Sequence, residues 1–116
     1  MSNVRRSNHM VTFVQARKIA EAWVDIVSDG SGTLDRERTK VKPYGWLFCW
    51  NSKTYLADRS RDEEALVGNA PIFVDRVNGE VYCPGPRSAD WFSEYEKTIP
   101  PARLGMRPEL PDWDVE

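Results

Sequence analysis

The sequence is poor in the residues that most often carry chemistry. Among its 116 residues there is one histidine, His9, in a polar stretch without period at the start of the chain. A lone histidine placed there leaves no Ser–His or Cys–His nucleophile pair. Cysteine occurs twice, at Cys49 and Cys83, with no Cys-x-x-Cys spacing and no Cys/His cluster, which argues against zinc. Each lies in an apolar, strand-like context, so both read as free buried thiols of a reducing compartment. No glycine-rich phosphate loop precedes a helix: Gly30-Ser31-Gly32 follows one, and there is no Gly-Lys-Ser/Thr. No apolar run reaches membrane-spanning length, and none follows Arg5-Arg6 as in a signal peptide. These absences lead to the expectation of a cytoplasmic protein that is not an enzyme, with no catalytic residues, no cofactor and no metal.

Aromatic residues are plentiful. Five tryptophans and 41% apolar content are enough for one core in a single domain. Net charge is −2, so nucleic acid is not the expected partner. Residues 1–42 hold 8 Lys/Arg against 5 Asp/Glu, and residues 43–116 hold 8 against 13. An acidic C-terminal half suits a basic partner, although a solvated surface shows asymmetry of this size as well.

The pattern along the chain predicts an α+β domain. Thr12 and Gln15 form a capping box. Ala16, Ile19, Ala20, Trp23, Val24 and Val27 then recur at helical spacing, giving an amphipathic helix over 13–28 with Trp23 on its buried side. Gly30 suits the left-handed position beyond its end. A half-exposed strand is expected over 33–42. A second, apolar on both faces and therefore covered, runs from Trp46 to Asn51, and residues 53–57 extend it or begin another. Residues 58–64 are charge and serine, a loop. Pro71–Val77 and Glu80–Cys83 read as strands joined at Asn78-Gly79, the dipeptide suited to a type I′ turn with both residues at positive φ. Ser88 is placed to cap a second helix with Trp91, Phe92, Tyr95 and Ile99 on its apolar stripe, stopped by Pro100-Pro101. The expectation is an N-terminal helix, an antiparallel sheet of about four strands, a C-terminal helix and an extended Pro-rich tail, with the helices on one side of the sheet. Its divisions are a flexible extension over 1–11, where Met10 is an alternative start, one domain over 12–100, and a Pro-rich acidic tail over 101–116.

Tyr44-Gly45-Trp46-Leu47-Phe48, then Leu66-Val67-Gly68-Asn69-Ala70-Pro71-Ile72-Phe73-Val74-Asp75-Arg76 and Asn78-Gly79, resemble the YrhB-like family, also called the immunity protein 35 family. Trp91-Phe92-Ser93-Glu94-Tyr95-Glu96 resembles the acidic, aromatic helix that follows, so the likeness covers roughly 12–97. It implies a non-enzymatic antidote that binds and neutralises a cognate toxin of a bacterial polymorphic toxin system. It supplies no catalytic residue. The segments that depart from the family pattern are the loop from Asp58 to Glu64 and the tail after Pro100, where partner specificity would lie.

The candidate partner-binding residues are therefore Trp46 and Trp50, on one face of a strand, and the carboxylates Asp58, Asp62, Glu63 and Glu64. Each has a plainer reading, as core for the rings and as a solvated loop for the carboxylates. Two other functions are set beside the antidote. One is a chaperone-like or scaffold protein binding apolar client segments. The other is a small-molecule binder or enzyme with a pocket between helix and sheet.

Overall fold

The structure, a computed structural model, describes residues 10–66, 70–85 and 87–115. Gly68 and Asn69 of the Gly-Asn-x-Pro stretch lie outside the described residues, as do residues 1–9. Helix α1 spans Phe13–Val27, and Thr12 and Gln15 complete the reciprocal capping box. Strand β1 is Gly32–Lys42 and β2 is Gly45–Ser52. A short helix α2, Lys53–Ala57, leads through a 3₁₀ turn at Asp62–Glu64 to β3, Ile72–Asp75, and β4, Val81–Tyr82. Helices α3, Ser88–Glu96, and α4, Pro101–Leu104, follow. The strands form an antiparallel sheet in the order β1-β2-β3-β4.

Alternation along β2 and β3 divides the core in two. Trp46, Phe48, Ile72 and Val74 face α1, where they pack with Phe13, Ala16, Ala20 and Val24. Leu47 and Phe73 face the other way, toward Phe92, Trp91 and Tyr95 of α3. The helices therefore lie on opposite faces of the sheet, not on one side as the sequence suggested. Two apolar faces on β2 require two covers, and the chain supplies one from each end.

Several local expectations are corrected. Trp23 is 39% exposed, because the buried arc of α1 runs through Phe13, Ala16, Arg17, Ala20 and Val24 and leaves it at the margin. Residues 53–57 are helical because the Ser52 hydroxyl accepts the Tyr55 N–H, an N-cap that the strand reading overlooked. Ser88 is the first helical residue of α3, and no side chain caps that end. Pro101 begins a helix rather than only ending one. Cys83 is exposed and Cys49 half-buried.

The β3–β4 loop is longer than a two-residue turn. Asp75 N–H donates to the Glu80 carbonyl, and Gly79 N–H to the Asp75 carbonyl. Of Asn78 and Gly79, only Gly79 (φ 76°) has positive φ. Asp75 Oδ1 accepts the N–H groups of Val77 and Asn78, so a carboxylate organises the loop.

Gly45 is fixed by crowding: a Cβ there would sit 2.3 Å from the Val74 carbonyl oxygen and 2.4 Å from Phe73. The adjacent Trp46 is fully buried and donates its indole N–H to the Glu109 carbonyl.

Candidate functional site

The structure separates the residues singled out from sequence. Trp46 lies in the interior beneath α1, where its ring meets Phe13 edge-on. Trp50 shares its face but sits at the margin of that core, half-buried, with its indole N–H on the Ala70 carbonyl. Asp58, Asp62 and Glu63 are exposed and Glu64 half-buried, on the segment that follows α2.

That segment is anchored at its base. Asn51 Oδ1 accepts the Leu66 N–H at 2.7 Å, and the Ser52 hydroxyl donates to the Glu64 carbonyl at 2.6 Å. Arg59 reaches across to the buried Asp35 at 3.2 Å and lies near Glu37. Ser60 donates to Asp58 from both its hydroxyl and its N–H, holding that carboxyl below the usual range. Arg61 lies within 4.0 Å of Glu63 and 3.9 Å of Glu64, so part of the negative charge is compensated locally. What remains is a supported loop presenting Asp58 and Asp62 to solvent.

The sequence reading missed an apolar surface along α1. Trp23, Ile26 and Val27 are 39%, 78% and 52% exposed, and half-buried Ile19 continues them along α1. Spacings of three and four place Ile19, Trp23 and Ile26 on one flank of the helix. Periodicity alone could not reveal this, because the same residues extend the apolar arc that reaches the core. At the C-terminal end of α1 the Lys53 N–H donates to the Ser31 carbonyl, tying α2 beside that helix end. A groove of about 370 Å³ lined by Val24, Asp25, Gly32 and Lys53 runs between them. The start of α2, which leads into the acidic loop, is therefore tied beside the end of α1 that carries Ile26 and Val27. A second groove, about 430 Å³ and lined by Val11, Gln15, Ile19 and Gly79, continues the apolar flank toward the β3–β4 loop.

On the other face, tyrosine hydroxyls meet carboxylates. Tyr44 donates to Glu96 at 2.6 Å, Tyr95 donates to Asp75, and Tyr82 donates to Glu80. Burial, reinforced by those carboxylates, pushes the Tyr44 and Tyr95 phenols far above their ordinary value. Burial likewise raises the Cys49 thiol. Phenols held neutral and a thiol held protonated are poor nucleophiles and poor bases. Among the described residues no group of three or more His, Cys, Asp or Glu is placed to hold a metal ion. None of the described helices is long and apolar enough to cross a membrane.

The fold and these surfaces define a small α+β domain with helices on both faces of a four-stranded sheet, an exposed aromatic flank and a supported charged loop. Residues 14–98 match the family model described as immunity protein 35, and the chain belongs to that family. It is also 34% identical over 65 residues to the uncharacterized protein YrhB of Escherichia coli strain K12. That match covers 53% of this chain and 65% of the relative, just under two thirds of its length. No solved structure matches.

Proposed function

We propose that this protein is a non-enzymatic immunity protein that binds a cognate bacterial toxin and blocks it by covering its surface. The observation that carries the reading is the immunity protein 35 match across residues 14–98. The exposed flank of α1 supports it: a tryptophan and an isoleucine held on a rigid helix make a suitable apolar anchor. Asp58, Asp62, Glu63 and Glu64 lie on the segment that follows α2 and would form a polar rim that attracts a basic toxin domain. Trp50, at the margin of the core, adds to the rim. Trp46 acts from beneath by holding the framework. The encounter belongs to a reducing bacterial cytoplasm, where Cys49 and Cys83 remain thiols.

The test is binding of the purified protein to the toxin domain encoded beside its gene, with rescue of cells that express the toxin. A dedicated antidote binds one partner at nanomolar affinity or tighter, roughly −12 kcal/mol. The same apolar flank favours one other reading, a chaperone-like protein for apolar client segments. That reading requires many weak partners, so weak binding to unrelated unfolded chains with none to the neighbouring toxin decides for it.

A further inference from the structure

The domain holds its own C-terminal tail as a peptide-binding protein holds a ligand. After α4 the chain has no regular structure, yet its main chain is read at three points by side chains of the domain. Arg76 Nη1 donates to the Arg107 carbonyl at 2.7 Å, Trp46 Nε1 to the Glu109 carbonyl at 2.8 Å, and Arg17 Nη1 to the Trp113 carbonyl at 3.3 Å. Two tail side chains are read as well. Glu109 Oε2 accepts the N–H of Phe13, the first residue of α1, at 2.8 Å. The Trp113 ring meets Phe13 and Phe48 edge-on, with centroids 5.1 and 6.4 Å apart, and the Arg36 guanidinium lies 5.2 Å from its centroid. Between these points Leu110 is 73% exposed and Asp112 points to solvent.

Carbonyls, one carboxylate and one aromatic, with unread residues between them, are the features by which grooves recognise extended segments. The carboxylate receptor is the N-terminus of a fifteen-residue helix, where orphan N–H groups and the helix dipole favour an anion. Arg17, 7% exposed, donates to the same segment through Nη1, while its Nε makes no hydrogen bond and is ion-paired with Glu21 at 3.7 Å. Apart from Phe13, the residues that do the reading fall within the family-matched stretch 14–98, whereas the tail lies beyond it. The groove thus lies in the stretch that the family model matches, and its occupant lies beyond that stretch.

We propose that this groove is a recognition site for an extended segment of another polypeptide carrying a carboxylate four residues before a tryptophan, and that residues 107–113 are its resident, displaceable occupant. A tethered segment presents itself at an effective concentration on the order of millimolar, so a competitor succeeds only by binding more tightly than the tail or when the tail is loosened. The site stands whether or not the partner is a toxin.

The test uses the full chain and a fluorescent synthetic peptide of residues 105–115. The Trp113→Ala protein should bind this peptide about tenfold more tightly than the wild type, whose tail competes. A peptide carrying both Glu109→Gln and Trp113→Ala should bind neither. Equal affinity of the two proteins, or equal affinity of the two peptides for the Trp113→Ala chain, overturns the proposal. Should Trp113→Ala fail to fold, the wild type answers by nuclear magnetic resonance. Excess unlabelled peptide, raised well above millimolar, should move the Trp113 indole signal to a solvent-exposed position and leave that of Trp46 hydrogen-bonded. A Trp113 signal that stays in place overturns the proposal.

Discussion

Tyr95 of α3 donates its hydroxyl hydrogen to Asp75 at the end of β3, and the other oxygen of that carboxylate holds the Val77 and Asn78 N–H groups. One buried carboxylate therefore shapes the β3–β4 loop and fastens α3 to the sheet. Asp75→Ala leaves three part-buried donors without their acceptor and should cost about 2–3 kcal/mol. Tyr95→Phe removes one bond and should cost about 1–2 kcal/mol. Because the groups touch, a double-mutant cycle by denaturant unfolding should return a coupling of about 1 kcal/mol or more. Additive losses would show that the contact does not hold helix to sheet.

Gly45 admits no side chain. Gly45→Ala places a carbon against the Val74 carbonyl and the Phe73 ring, and the strands must part to accept it. A loss of about 2–3 kcal/mol is expected. At Gly79, where φ is 76°, Gly79→Val should cost about 1–3 kcal/mol. Unchanged thermal melting of either variant would contradict the register described.

Alkaline pH should unfold the protein through Tyr44 and Tyr95. Burial first, and the bonds to Glu96 and Asp75 next, raise both phenols above the ordinary value of 10.0. A raised folded pKa means that the unfolded chain releases its proton first. The stabilisation is complete below pH 10 and is lost as pH rises beyond it. Melting temperature against pH, with phenolate absorbance followed in parallel, should fall less steeply in Tyr44→Phe and Tyr95→Phe. Slopes matching the wild type would remove these residues from the account.

The exposed ring of Trp23 separates binding from stability. Trp23→Ser should lower stability by about 1 kcal/mol or less, since the ring is far from fully buried. Trp91→Ala should cost more, about 2–4 kcal/mol, because that ring stacks on Tyr95 and packs against Phe73. On the proposed function, Trp23→Ser and Ile26→Ser together weaken toxin affinity about a hundredfold or more, as loss of a central apolar anchor does. Intact affinity in the double variant would move the interface elsewhere.

Much of the framework was legible because local chemistry and tertiary need agreed. Thr12 with Gln15 marked the start of α1, and the unbroken apolar run from Trp46 marked a strand covered on both faces. The same run already demanded two covers, and the error was to place both helices on one. Elsewhere a long-range partner overrode the local signal. Asn78-Gly79 reads as a two-residue turn, yet Asp75 gathers the backbone of a longer loop. Trp23 fits a core stripe by spacing, yet the buried arc of α1 runs through Phe13, Ala16, Arg17, Ala20 and Val24 and leaves it at the margin. The acidic loop was visible as charge. Its support by Asn51 and Ser52 was not, because those contacts reach across twelve to fifteen residues.

Charge should govern the rate of the encounter. Reversing Asp62, Glu63 and Glu64 together should leave the melting temperature nearly unchanged, as exposed and partly exposed loop charges contribute little to stability. It should slow association with a basic toxin domain and flatten the dependence of that rate on salt. An unaltered rate would take the loop out of the interface.

On the proposed function, this domain acts by binding a toxin. Its most direct test is titration of the purified wild type against the purified toxin domain from the adjoining gene, with survival of toxin-expressing cells scored alongside. A one-to-one complex of nanomolar or tighter affinity is expected, with restored growth that is lost with Trp23→Ser and Ile26→Ser. Neither binding nor rescue by the well-folded wild type would contradict it.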